Sequence, residues 1–184
     1  MYGHSMLEDG IRIISVQSNG AFKEFFRLLS RNRQEMTLVL ADLDTETSRE
    51  GRRLTKAILQ DSHFDHEFVG SHVHYVPTAS IRENGEEFEA AFPNTVIARC
   101  LRARWPRKQG NWTDGSIEEL RTIPGKKFSD VLKGAVWSEA IEESRSWSKP
   151  DFGSVLGMQC LSDEVPVEVQ LLFEHARRIA GCAR

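Results

Sequence analysis

The run at 36–44, MTLVLADLD, constrains the fold of this chain more than any other segment. Positions 36–41 are almost entirely apolar. A sheet strand with one wet face alternates between apolar and polar residues, whereas a strand covered on both faces reads as a continuous apolar run. The segment therefore predicts a strand in a mainly parallel sheet. It stops on two acids one residue apart, Asp42 and Asp44. Ligands of open α/β sheets gather at the carboxyl ends of the strands. Such a strand needs helices to cover it, and its neighbours supply them. Phe22, Phe25, Phe26 and Leu29 recur at helical spacing across 21–31, as do Leu54, Ala57 and Ile58 across 48–60.

The remainder follows the same alternation and then leaves it. Residues 11–16 (IRIISV) read as a strand before the breaker Ser18-Asn19-Gly20, and a third strand is expected within 67–76, ending at Pro77. Beyond it, 86–104, 116–122, 128–146, 152–161 and 166–180 all read as helices. Ser116 followed by Glu119 predicts a capping box, and Pro166 suits a first helical turn. The expected fold class is α/β: a short, mostly parallel sheet flanked by helices, with a helical C-terminal half. A length of 184 residues fits one domain, 1–184, with a β/α core over about 10–80 and a mainly helical part over about 84–184.

Composition removes several classes. A net charge of −3 excludes a generally basic nucleic-acid coat protein, while leaving room for a local basic patch. No apolar run approaches the roughly 20 residues of a membrane span, and the first ten positions lack a signal-peptide core. Cys100, Cys160 and Cys182 are widely spaced with no C-x-x-C pair, which fits a reducing compartment better than a disulfide scaffold or a zinc cluster. The expectation is a cytoplasmic protein without membrane contact.

Three groups of residues carry potential chemistry. Asp42 and Asp44, with Thr45 and Glu46 adding oxygen ligands, suit a hard divalent cation such as Mg²⁺. The plainer reading is a turn and helix cap before Ser48. His63, His66, His72 and His74 crowd together beside Asp61, Asp65 and Glu67. On a strand His72 and His74 share a side and can share a metal; otherwise the stretch is a polar loop entering a half-exposed strand. Arg99, Arg102, Arg104, Arg107 and Lys108, with Trp105 and Trp112, offer phosphate contacts and base stacking, or else a solvated helix face with its tryptophans in the core. Val96, Ile97, Cys100 and Leu101 would form the apolar side of that helix, turning Arg99 and Arg102 outward. Arg49, Arg52, Arg53 and Lys56 lie beside the two aspartates, where they would steer a polyanion or balance the acids. Met158, Cys160, Leu171, Leu172 and Phe173 are expected in the core.

The stretch GIRIISVQSNGAFKEFFRLL followed by MTLVLADLD resembles the central part of a TOPRIM domain, of the kind in OLD (overcoming lysogenization defect) family nucleases. The resemblance extends to EEFEAAF and to Lys149-Pro150. It implies a Mg²⁺- or Mn²⁺-dependent hydrolase cleaving nucleic-acid phosphodiesters, with an ATPase as companion. It assigns the metal to Asp42 and Asp44, with Glu46 adjoining. Glu87 and Glu89 become further catalytic carboxylates, and Lys149 a cation facing the scissile phosphate. The basic stretch, independently of the resemblance, supplies Arg99, Arg102 and Arg104 as the candidate nucleic-acid contacts. A helix starting near 84 would pair Glu86 with Glu89; choosing Glu87 and Glu89 fits a bent first turn instead.

The chain departs from the family pattern in two places. The opening Glu-bearing part of the fold needs a longer lead than the residues before the 11–16 segment, where Glu8 is the acid of the right type. No G-x-x-x-x-G-K-[ST] phosphate loop occurs either. The expectation is a trimmed TOPRIM, active as an endonuclease only if competent. The alternative is a non-catalytic interaction or regulatory module partnering a larger ATPase in a defence-type system.

Overall fold

The computed structural model describes residues 8–14, 21–46, 48–60, 64–77 and 85–182. The chain divides into two compact units, one within Met1–Thr78 together with Val167–Arg184, the other within Ala79–Pro166. Among the described residues no helix is long and apolar enough to cross a membrane.

The first unit is built on the apolar run. Strand β1 (Val39–Asp42) pairs in parallel with β2 (Val73–Val76), Val39 opposite Val73 and Asp42 opposite Val76. Parallel strands require a long crossover, and helices α3 (Arg49–Leu59) and α4 (His66–His72) provide it. Each begins on a side-chain cap: Ser48 Oγ accepts from the Gly51 N–H at 3.0 Å, and Asp65 Oδ1 from the Phe68 N–H at 2.8 Å. Helix α1 (Phe22–Leu28) packs on α3, so that Phe26 joins Leu54, Ile58, Phe64 and Val73 in one buried cluster. A short α2 (Arg31–Glu35) leads into β1, and α9 (Val167–Ile179) packs on β2. Arg177 on α9 donates to Asp9 at 2.7 Å.

Two expectations change here. Residues 11–14 form no strand, and Ile13 is 77% exposed; 15–20 lie outside the described residues. A β-branched run makes a strand only where a neighbouring ladder and a face to cover exist, and β1 finds both in β2. The third strand is shorter than expected, because the Asp65 cap turns 66–72 into a helix before β2 begins.

The second unit is helical. A 3₁₀ turn at Phe88–Ala91 precedes α5 (Asn94–Arg104), α6 (Asp114–Arg121), α7 (Phe128–Glu139) and α8 (Lys149–Gln159). Val96, Ile97, Cys100 and Leu101 are fully buried on one face of α5, as their spacing predicts. The helix expected over 86–104 is broken at Phe92-Pro93. Proline drives the preceding residue out of the helical region, and Phe92 is extended (φ −85°, ψ 147°). Buried Arg121 secures the break: it donates to the carbonyls of Ala90 (3.1 Å) and Phe92 (2.7 Å) and to Asn94 Oδ1 (2.7 Å), and its guanidinium lies over the Phe128 ring.

The tryptophan question resolves toward the core. Trp105 and Trp112 are fully buried, their indole N–H groups donating to the carbonyls of Ser146 and Trp105. The capping box starts one turn earlier than expected, between Thr113 and Ser116. Pro166 immediately precedes α9. Leu172 is buried, but Met158 (79%) and Leu171 (57%) face solvent rather than the core. The helical period turns each away from the packed side of its helix.

Burial pushes the Cys100 thiol up to about 12, while Cys160 and Cys182 are half-buried. Ellman's reagent at mildly alkaline pH is therefore expected to modify Cys182 and, more slowly, Cys160, and to reach Cys100 only in denaturant. Three thiols reacting at equal rates in the folded protein would contradict this packing.

Candidate metal-binding site

The acids at the end of the first strand hold their place for local reasons. Asp42 is the last residue of β1, opposite Val76, and is half-buried. The chain then tightens into a 3₁₀ turn, Leu43–Thr45, which keeps Asp44 close behind it. Thr45 is buried, and its hydroxyl lies 3.4 Å from Asp44 Oδ1. Its carbonyl accepts from both the Ser48 N–H (3.1 Å) and the Ser48 hydroxyl (2.7 Å), so turn and helix start are one hydrogen-bonded piece. Gly51 makes this possible: a Cβ there would stand 2.1 Å from the Thr45 carbonyl oxygen.

Beyond the turn, exposed Glu46 marks the rim of an open depression of about 490 Å³, with Arg52, Thr55, Lys56, Leu59 and Gln60 of α3. Arg49, Arg52, Arg53 and Lys56 stand at i, i+3, i+4 and i+7, a cationic side on α3. Burial raises the Tyr75 phenol above its ordinary value, and the charge of Glu46 adds to the effect.

In the second unit the structure brings Glu87, Glu89 and Lys149 together. Lys149 Nζ donates to Glu87 Oε1 at 2.7 Å and stands 3.9 Å from Glu89 Oε1. Glu87 also accepts from the Ser129 N–H and hydroxyl, each at 2.7 Å. Ser129 lies in the first turn of α7, so Glu87 caps that helix from a distant segment. Burial alone would raise its carboxyl, but the Lys149 ammonium and the Ser129 donors outweigh burial and hold it below the usual range. Ser129 carried no signal in the sequence beyond its position at a helix start.

The three arginines of α5 are engaged with the protein. Half-buried Arg99 grips Glu164 through two bonds, Nη1 at 2.7 Å and Nη2 at 2.8 Å, and also donates to the Gln159 carbonyl. That grip holds the Glu164 carboxyl down to about 2. Arg102 donates to the Trp112 carbonyl, and Arg104 lies over the Trp105 ring; both are exposed.

Among the histidines, His72 ends α4 rather than alternating with His74 along a strand. His66 is exposed at the start of α4, and His63 lies outside the described residues. Among the described residues no group of three or more His, Cys, Asp or Glu side chains is arranged to hold a metal ion.

No protein-family model, curated protein or solved structure matches the chain.

Two carboxylates at a strand end fit one mode of divalent-ion binding. Mg²⁺ commonly keeps several waters and takes one or two protein carboxylates together with substrate phosphates. Asp42 and Asp44 stand at the strand end that such a set would use. Glu87 is committed to Lys149 and Ser129 within the second unit.

Proposed function

We propose that the chain is a TOPRIM-like, metal-dependent phosphodiesterase acting on nucleic acid, of the OLD nuclease type. The supporting observation is the placement of Asp42 and Asp44 at the carboxyl end of a parallel strand, directly before a helix with a cationic side. Asp42 and Asp44 would hold Mg²⁺ or Mn²⁺. Bound there, such an ion supplies Lewis-acid stabilisation of a phosphoryl oxygen and a lowered pKa for its water. Arg52, Arg53 and Lys56 draw the polyanion to this end of the strand.

Calorimetry with Mn²⁺ and a nicking assay on supercoiled DNA test the reading, comparing the natural chain with Asp42→Asn plus Asp44→Asn. Metal binding and nicking are both expected, and both should fall to background in the double variant. Nicking that survives the double substitution excludes this site, and a chain that binds no divalent ion excludes the reading.

One observation favours a second reading, a non-catalytic module partnering a larger ATPase. Glu87, offered by the resemblance as a further catalytic acid, is buried and serves as a helix cap. A module of this kind would bind its partner undiminished in Asp42→Asn plus Asp44→Asn, without any requirement for divalent ion.

A further inference from the structure

Three imidazoles from three different elements meet inside the first unit: His72 at the end of α4, His74 in β2 and His175 in α9. The His175 ring stands edge-on to both others, with centroids 5.9 Å from His72 and 5.6 Å from His74. Each partner ring is anchored from behind. His74 Nε2 lies 2.9 Å from the Ser71 carbonyl oxygen. His72 stacks on Phe68 at 3.9 Å, and its Nε2 lies 3.1 Å from the Glu35 carbonyl oxygen. Helix α9 thus meets β2 through a contact that is favourable between neutral rings and repulsive between charged ones.

We propose that the His74–His175 contact, flanked by His72, is a pH-sensitive latch, holding α9 on β2 when His74 and His175 are neutral and releasing it when they are protonated in mildly acidic conditions.

Around His74 and His175 burial and the nearby positive groups favour the neutral state. On α9, Arg178 adds its positive field to His175, and Arg177 is paired with Asp9 as a second tether. From α2, Glu35 presents its carbonyl, and its carboxylate is bonded to Arg31 at 3.3 Å. Burial lowers His175, reinforced by His74, Arg178 and His72; burial also lowers His74, opposed by the Ser71 carbonyl and reinforced by His72. A histidine whose value is lowered by docking binds fewer protons docked than undocked. Docking therefore weakens as pH falls from the ordinary value of ~6.5 through the docked values.

Hydrogen exchange of the α9 amides tests the latch, at about pH 7.5 and about pH 5.5, on either side of the ordinary histidine value of ~6.5. Rates are corrected for intrinsic pH dependence, with α3 as the internal reference. Protection of 167–179 is expected to fall by about tenfold at the lower pH, while α3 keeps its own. In His175→Phe, which keeps a ring but cannot take a proton, the acid-induced loss of α9 protection should shrink to the part carried by His74. Equal wild-type protection at both pH values overturns the proposal, and so does an acid-induced loss that persists undiminished in His175→Phe. Should that variant fail to dock α9 even at neutral pH, ring-proton NMR of the natural chain decides. His74 and His175 titrating with the same midpoint as the α9 amide shifts supports the latch; titration that leaves those amides unmoved overturns it.

Discussion

Gly51→Ala is expected to destabilise the protein, although the same change within most helices stabilises by up to about 1 kcal/mol. The sign reverses because the new methyl would stand 2.1 Å from the Thr45 carbonyl oxygen. That oxygen cannot step aside without losing its bonds from the Ser48 N–H and hydroxyl. Overpacking against fixed backbone suggests a loss of about 2–3 kcal/mol in urea unfolding. The strain falls on the turn that carries Asp44, so under the proposed function Mn²⁺ affinity should drop in parallel. A variant as stable as the natural chain would show that turn and helix do not approach so closely.

Glu87→Ala is expected to cost more than any other change in the second unit's acid cluster, about 2–4 kcal/mol, because it strands a buried N–H and a buried hydroxyl and uncaps α7. Lys149→Met should also destabilise, because it leaves the buried Glu87 carboxylate to the Ser129 donors alone, but by less than Glu87→Ala, since the ammonium is half-exposed and water takes up part of the loss. The pH dependence follows from the direction of the Glu87 shift. Its carboxyl is lowered by folding. The stability it contributes is therefore present above the ordinary carboxylate value of ~4.3 and is lost as pH falls through the folded value. Urea midpoints across the acid range should show this limb in the natural chain and a shallower one in Glu87→Gln. A Glu87→Ala variant as stable at neutral pH as the natural chain would overturn the capping role.

What the sequence made legible was mostly periodic. The β1 run, the helices at α3, α5 and α9 and the buried face of α5 all rest on spacing, which one short window displays. The segment at 11–14 misled because β-branched composition reports a capacity for pairing and not the presence of a partner. Pro93 marks the break before α5, but the spacing of the residues across 86–104 runs straight through it and does not show it. The candidate site divided in the same way. Asp42 and Asp44 declared themselves by position after an apolar strand. Ser129, Gly51 and His175 could not, because each acquires its role from a residue elsewhere in the chain. Gly51 in particular reads as a weak spot in α3 until the Thr45 carbonyl is placed against it.

The return of α9 to β2 makes the first unit discontinuous in sequence. Its strands and first helices leave the ribosome early, but the helix that covers β2 arrives only after residues 79–166 have been made. The second unit, continuous in sequence, has all its parts available before then. Co-translational folding should therefore run inside out, with the inserted helices compact while β2 still waits for its cover. During that interval the His72 and His74 rings stand without the His175 ring that meets them, and the latch cannot yet form.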